Sequence, residues 1–124
     1  VAYIREVLKD YVMEIAALGV KETGMGKAAD KALKHQVTIE KTPGVEDLRA
    51  FAFSGDDGLT VMELSPYGVI GAITPSTNPS ETIICNSIGM ISAGNSVVFA
   101  PHPGAKRTSI KTVEIINEAV RKAG

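Results

Sequence analysis

Two short loops concentrate the residues able to do chemistry. Thr74-Pro75-Ser76-Thr77-Asn78-Pro79 sets hydroxyls and one carboxamide between two rigid prolines, and Ala100-Pro101-His102-Pro103-Gly104 holds an imidazole between two more. A carboxamide or hydroxyl fixed in such a loop can donate to a developing oxyanion. Asn78 can equally be no more than the cap of a following helix, as can Ser80, with Pro79 at or near its first position. A helix start there exposes free N–H groups and a positive dipole end beside the loop, suited to an oxyanion or a phosphate. His102 reads as a donor to a ribose or phosphate, as a stacking partner for a base, or as a loop histidine merely held between prolines. Lys106 and Arg107 open the last helical pattern against the macrodipole, at roughly 0.3–1 kcal/mol each. That placement suits either phosphate contact or a solvated pair.

Other reactive residue types are sparse. Cys85, the one cysteine, lies in Ile83-Ile84-Cys85-Asn86 with no histidine near in sequence. Reactive thiolates sit exposed beside a base or at a helix start, so a buried small side chain is expected here. His35, Cys85 and His102 are too scattered for a metal site. The tip Gly55-Asp56-Asp57-Gly58 lacks the further oxygen ligands of a calcium loop and reads as a solvated turn. The first loop is also no GxGxxG fingerprint, because prolines stand where glycines would let a backbone approach a pyrophosphate. Any nucleotide must be held in another way.

These loops need strands and helices to place them. Val69-Ile70-Gly71-Ala72-Ile73-Thr74 and Ser96-Val97-Val98-Phe99-Ala100 read as strands, the first as one buried on both faces. Ile83, Ile84, Ile88 and Ile91 mark a helix over 80–93, closed by Gly94-Asn95. The spacing is that of a parallel crossover unit, with both loops at the carboxyl ends of the strands, where open parallel sheets bind ligands. Ile110, Val113, Ile116 and Val120 predict a last helix.

Upstream, Val1, Ile4, Leu8, Tyr11, Val12, Ile15 and Leu18 form a helical stripe over 1–22, ended at Thr23-Gly24-Met25-Gly26. A second helix is predicted from about Lys27 to Glu40 with Ala28, Ala32, Leu33 and Val37 inward, and Thr42-Pro43-Gly44 stops it. Val45 to Gly58 reads as an irregular connector, and Leu59 to Leu64 as a strand. The resulting division is 1–58, amino-terminal helices and connector, and 59–124, the start of an α/β parallel-sheet domain. Two strands alone leave open edges, which further chain or partners would complete.

Composition narrows the class. The 124 residues are 44% apolar, with 13 basic and 14 acidic side chains for a net charge of −1. Such a balance gives no field for nucleic acid or an acidic membrane surface. No apolar run approaches the roughly 20 residues of a membrane span. No secretory signal pattern is present, and a lone cysteine fits a reducing, cytoplasmic setting. The start at Val1 and the stop at Gly124 after a helical pattern are expected of a segment of something longer.

Tyr67-Gly68-Val69-Ile70-Gly71-Ala72-Ile73-Thr74-Pro75, followed by Ala93-Gly94-Asn95-Ser96-Val97-Val98, resembles the start of the nucleotide-binding domain of the aldehyde dehydrogenase superfamily. Pro75-Ser76-Thr77-Asn78-Pro79, Ala100-Pro101-His102-Pro103, Lys41-Thr42-Pro43-Gly44-Val45-Glu46-Asp47 and Glu22-Thr23-Gly24-Met25-Gly26 resemble its CoA-acylating branch. That branch includes the ethanolamine- and propanediol-utilisation acetaldehyde and propionaldehyde dehydrogenases of bacterial microcompartments.

The resemblance implies a Rossmann-like parallel sheet preceded by two helices. It also implies a reaction in which a short-chain aldehyde, coenzyme A and NAD give acyl-CoA and NADH through a cysteine thioester. The family's catalytic cysteine lies far beyond the asparagine loop, past Gly124, so this segment alone is expected to be inactive, and Cys85 does not replace it. Where the broader superfamily places an oxyanion-binding asparagine, this chain has Thr77, with Asn78 one residue later. Both are the implied oxyanion donors. Ala100 and Pro103 replace the ribose-binding lysine and glutamate of hydrolytic members. Thr74, Pro75, Ser76, Ala100, His102 and Gly104 are the implied cofactor-lining residues, with an adenosine pocket shared between NAD and CoA and no metal. The full-length enzyme would be a homo-oligomer, cytoplasmic or in a microcompartment lumen, with the shell as a partner. The alternative function is a non-catalytic nucleotide-binding or assembly module.

Overall fold

A computed structural model describes all residues from Val1 to Gly124. Four helices form one apolar core: α1 (Ala2–Thr23), α2 (Ala28–Lys41), α3 (Pro79–Ser92) and α4 (Lys106–Ala123). Strands β1 (Phe51–Gly55) and β2 (Gly58–Met62) make an antiparallel hairpin, while β3 (Val69–Thr74) and β4 (Ser96–Pro101) pair in parallel. Short 3-10 turns cover Val45–Asp47 and Pro103–Ala105. No helix is long and apolar enough to cross a membrane.

The stripe on α1 behaves as its spacing predicts. Ile4, Leu8, Val12, Ile15 and Ala16 are buried against Ala32 and Ile39 of α2, Ile83, Ile84 and Ile88 of α3, and Ile115, Ile116 and Ala119 of α4. Gly24 ends α1 in the left-handed conformation, φ 68°, with its N–H donating to Val20 O at 2.8 Å. That conformation suits glycine, which has no side chain to clash with its carbonyl.

Four expectations need correction. Val45 to Gly58 is not irregular throughout, since Phe51–Gly55 pairs with Gly58–Met62 around the Asp56-Asp57 tip. The predicted Leu59–Leu64 strand accordingly starts at Gly58 and ends at Met62. On α2 the buried residues are Lys31, Ala32, His35 and Ile39, whereas Leu33 and Val37 are 62% and 59% exposed. The inward stripe runs through two polar residues because they find partners inside. Finally, β3 is covered on one face only: Ala72 and Thr74 are buried, Val69 and Ile73 are exposed. Helix α3 packs on the inner face and nothing within the chain covers the other.

Asn95 sets the strand entry. Its buried Oδ1 accepts N–H bonds from Tyr67 (2.6 Å) and Gly68 (3.1 Å), and Ser96 N–H donates to Gly68 O at 2.7 Å. One side chain thereby fixes the turn that starts β3 to the turn that starts β4. Asn95→Ala leaves both N–H groups without an acceptor and is expected to cost about 1–3 kcal/mol in a denaturant melt.

Candidate functional site

The carboxyl ends of β3 and β4 bring the two loops together. Thr74 is in register with Pro101, and His102 N–H donates to Thr74 O at 3.0 Å. The parallel pairing thus continues one residue past the strands and joins the Thr74–Pro79 loop to the Ala100–Gly104 loop. Pro75, Thr77, Ala100, His102 and Gly104 are exposed, and Ser76 and Asn78 are half-buried. Thr74 differs: its side chain is sealed inside, and its hydroxyl has no hydrogen-bond partner. Its carbonyl is what it contributes to the junction.

Asn78 is held at several points. It precedes α3 in the cap position, but its side chain makes no capping bond. The carboxamide instead meets Lys34, whose ammonium lies 3.4 Å from Oδ1. An ammonium can only donate, so the carbonyl end of the amide faces Lys34 and the Nδ2 end is left to donate elsewhere. The main-chain carbonyl of Asn78 accepts from Thr82 N–H (3.1 Å) and Thr82 Oγ1 (2.8 Å). Thr77 O accepts from Lys31 Nζ at 2.9 Å. No group in the chain accepts from the N–H groups of Ser76, Thr77 or Asn78. The loop therefore presents free N–H donors while the carbonyls of Thr77 and Asn78 are tied down.

Beneath it lies a polar cluster. His35 is fully buried, with Nε2 2.7 Å from Ser80 Oγ and Nδ1 3.3 Å from Val12 O. Ser80 Oγ donates to Glu81 Oε2 at 3.1 Å, and His35 Nε2 stands 3.7 Å from that same oxygen. The hydroxyl thus relays between ring and carboxylate. Lys31 Nζ lies 4.0 Å from Glu81 Oε1. Burial works to raise the Glu81 pKa, but the imidazole beside it, its own N–H and the Lys31 charge outweigh burial and hold the carboxyl below its ordinary value. Nothing in the apolar spacing of α2 signals this cluster. The available sign was Lys31 and His35 four residues apart, one turn along the same helical face.

Both helix starts near the loops carry internal carboxylates. Glu81 sits in the first turn of α3. Glu22, from the end of α1, accepts the N–H groups of Arg107 and Thr108 at 2.7 Å each and Thr108 Oγ1 at 2.6 Å. The start of α4 is therefore capped from within, and a phosphate on the N–H groups of Arg107 and Thr108 would have to displace Glu22. Burial acts to raise the Glu22 pKa, and the Thr108 and Arg107 bonds lower it by more. A group depressed on folding stabilises above its unfolded value, here 4.5, and loses that contribution as pH falls through the native value. Glu22→Gln keeps one acceptor and should cost about 1 kcal/mol at neutral pH. In urea melts the gap to the parent protein should narrow below pH 4.5, where Glu22 protonates on unfolding.

His102 is exposed, and its Nδ1 accepts from Gly104 N–H at 3.0 Å. That bond fixes the ring and leaves Nε2 as the end that can meet a ligand. A Cβ on Gly104 would come within 3.3 Å of Nδ1, so glycine leaves the ring its place. Cys85 is exposed rather than buried. Ile84 and Ile88 point to the core, and Cys85, about 100° round the helix from Ile84, falls on the outer side near Leu33, Val37 and Asn78. No cluster of histidine, cysteine, aspartate or glutamate is arranged to hold a metal.

Residues 2–124 match the model of the aldehyde dehydrogenase family. The chain is 51% identical over 115 residues to the CoA-propanoylating propanal dehydrogenase of Citrobacter freundii, covering 93% of this chain and 25% of that protein. It is 50% identical over 121 residues to the acetylating acetaldehyde dehydrogenase EutE of Salmonella typhimurium, covering 98% and 26%. A propionaldehyde dehydrogenase from the Clostridium phytofermentans fucose-utilisation bacterial microcompartment superposes with TM-score 0.95 at 56% identity, over 98% of this chain and 28% of that one. The chain spans about a quarter of the length of these relatives.

Proposed function

The chain belongs to the aldehyde dehydrogenase family, and on that premise we propose that it forms the amino-terminal part of a CoA-acylating enzyme that oxidises acetaldehyde or propionaldehyde to acyl-CoA. The observation that carries this reading is the loop junction, where donors at Thr77 and Asn78 stand beside the His102 loop with their acceptors satisfied. In this reading residues 1–58 support the site and 59–124 begin the nucleotide-binding domain. The exposed outer face and edges of β3 and β4 are where the sheet would continue in the longer protein.

The geometry supports the following roles. Addition of a thiolate to an aldehyde, and later of CoA to the thioester, puts negative charge on the former carbonyl oxygen. Asn78 Nδ2, with its Oδ1 towards Lys34, and the Thr77 hydroxyl would donate to that charge. The thiolate comes from a cysteine outside this segment.

The second loop fits the adenosine end of NAD or CoA rather than a pyrophosphate. With Nδ1 accepting from Gly104, His102 Nε2 carries the ring N–H and offers a donor beside the small Ala100 and Gly104, with Pro75 and Ser76 across the junction. At the start of α4 Glu22 already takes the N–H groups of Arg107 and Thr108. Bound there, NAD would accept hydride from the aldehyde carbon; this chain's residues would orient its adenosine. Thr74 would act through its carbonyl, which holds the His102 loop.

The names of the relatives support CoA as acyl acceptor and a place among microcompartment enzymes. A homo-oligomer and shell association belong to the same proposal. A non-catalytic module is not favoured, since the relatives at 50% identity and above bear enzyme names. The test is an assay of the full-length protein with acetaldehyde or propionaldehyde and NAD. NADH should form only when CoA is added, and equal NADH without CoA would overturn the acylating assignment.

A further inference from the structure

Lys31 is an unusual residue for its place. It is only 5% exposed, and lysine is almost never fully buried unless paired. Removing an ammonium from water is costly, and an apolar side chain would serve packing better. Its partners are few: Thr77 O at 2.9 Å and Glu81 Oε1 at 4.0 Å, the latter carboxylate oxygen having no hydrogen bond of its own.

We propose that Lys31 is a positioning residue for the Thr77–Asn78 peptide, held by Glu81, and that it turns the Asn78 N–H outward as a further donor to the oxyanion. The argument is stereochemical. In a trans peptide the carbonyl and the following N–H point in opposite directions, and the chain has no cis bonds. Fixing Thr77 O on Lys31 therefore directs Asn78 N–H away from α2, and that N–H has no acceptor in the chain. A cation on the carbonyl also polarises the peptide and strengthens the N–H as a donor. Glu81 holds the ammonium from the other side, and Ser80 ties Glu81 to the buried His35. The cluster thus joins α2 to the start of α3 directly beneath the loop. This inference rests on the oxyanion reading of that loop.

The test uses the full-length enzyme with Lys31→Met, Lys31→Gln and Asn78→Ala. Lys31→Met is expected to lower kcat by up to about 100-fold, since a small misplacement of reacting groups costs that much, while KM for the aldehyde stays nearly unchanged. Its crystal structure should show the Thr77–Asn78 peptide rotated. Lys31→Gln retains a neutral donor of shorter reach and should show a smaller loss. It also carries the comparison if the methionine variant does not fold, and wild-type kcat in it would overturn the proposal. An unmoved peptide in Lys31→Met would overturn it as well. So would a rotated peptide with undiminished kcat in an enzyme that Asn78→Ala cripples. If Asn78→Ala leaves kcat intact, the oxyanion reading of the Asn78 side chain fails by itself. A rotated peptide with reduced kcat in Lys31→Met would then still support positioning, acting through the main-chain donor alone.

Discussion

Glu81→Ala should lower the unfolding free energy by about 3–5 kcal/mol, the loss seen when one member of a buried ion pair is removed. Glu81 is 8% exposed and serves two buried groups, Lys31 at 4.0 Å and, through Ser80, His35. With the carboxylate gone, the ammonium keeps only the Thr77 carbonyl, and Ser80 Oγ–H loses its acceptor. The charge left behind, rather than the attraction lost, dominates the cost. Lys31→Met/Glu81→Leu removes both charges together and should recover much of the loss. The pH dependence has a fixed sign. The Glu81 pKa lies below the ordinary 4.5, so its stabilisation is full above that value and fades as pH falls through the native one. Urea melts at several pH values read all of this. A loss below about 1 kcal/mol for Glu81→Ala, the scale of a surface pair, would show that the pair is solvent-screened and not a buried support.

How far these features could be read from sequence depends on what each residue is paired with. The stripe of Ile4, Leu8, Val12 and Ile15 and the runs over 69–74 and 96–100 were legible because apolar spacing alone decides them. The hairpin was not, because Asp56 and Asp57 drew the reading towards a loop. A two-residue tip before Gly58 between two pairing runs is itself a hairpin signal. Helix α2 misled for a different reason. Leu33 and Val37 look inward by composition, but the core side carries Lys31 and His35, whose burial is made tolerable by Glu81, far along the chain. No local pattern contains that partner. Cys85 was misplaced because its apolar neighbours in sequence are not its neighbours on the helix face.

The same distinction holds at the loops. Parallel crossover spacing alone brought Thr74–Asn78 beside Ala100–Gly104, and the His102 N–H to Thr74 O bond is the geometric form of that expectation. Whether Asn78 caps its helix could not be settled by spacing. The structure shows a side chain turned to Lys34, with Thr82 on its carbonyl. Likewise the helix start at Lys106 and Arg107 looks open in sequence, whereas Glu22, at the end of α1, takes the N–H groups of Arg107 and Thr108. Long-range capping of this kind leaves no local trace.

Asn78→Ala in the full-length enzyme should lower kcat by about 100- to 1,000-fold, the effect of deleting one oxyanion donor. The expectation comes from preorganisation. The Asn78 main-chain carbonyl is held by Thr82 and the preceding carbonyl by Lys31, so the backbone that carries the amide is fixed before charge develops, while Oδ1 lies 3.4 Å from the exposed Lys34. The Thr77 hydroxyl is on an exposed residue and makes no hydrogen bond within the chain, so Thr77→Ala should cost less. Because the donor acts on a charge absent from the ground-state aldehyde, kcat and kcat/KM should fall together while KM changes little. Asn78→Asp is the sharper variant: a carboxylate would accept the Lys34 bond but repel the oxyanion, and should be at least as damaging as alanine. Steady-state rates with saturating CoA and NAD decide it. A rise in KM at unchanged kcat would instead assign Asn78 to substrate binding, and the oxyanion role would then have to rest on Thr77 or on main-chain N–H groups.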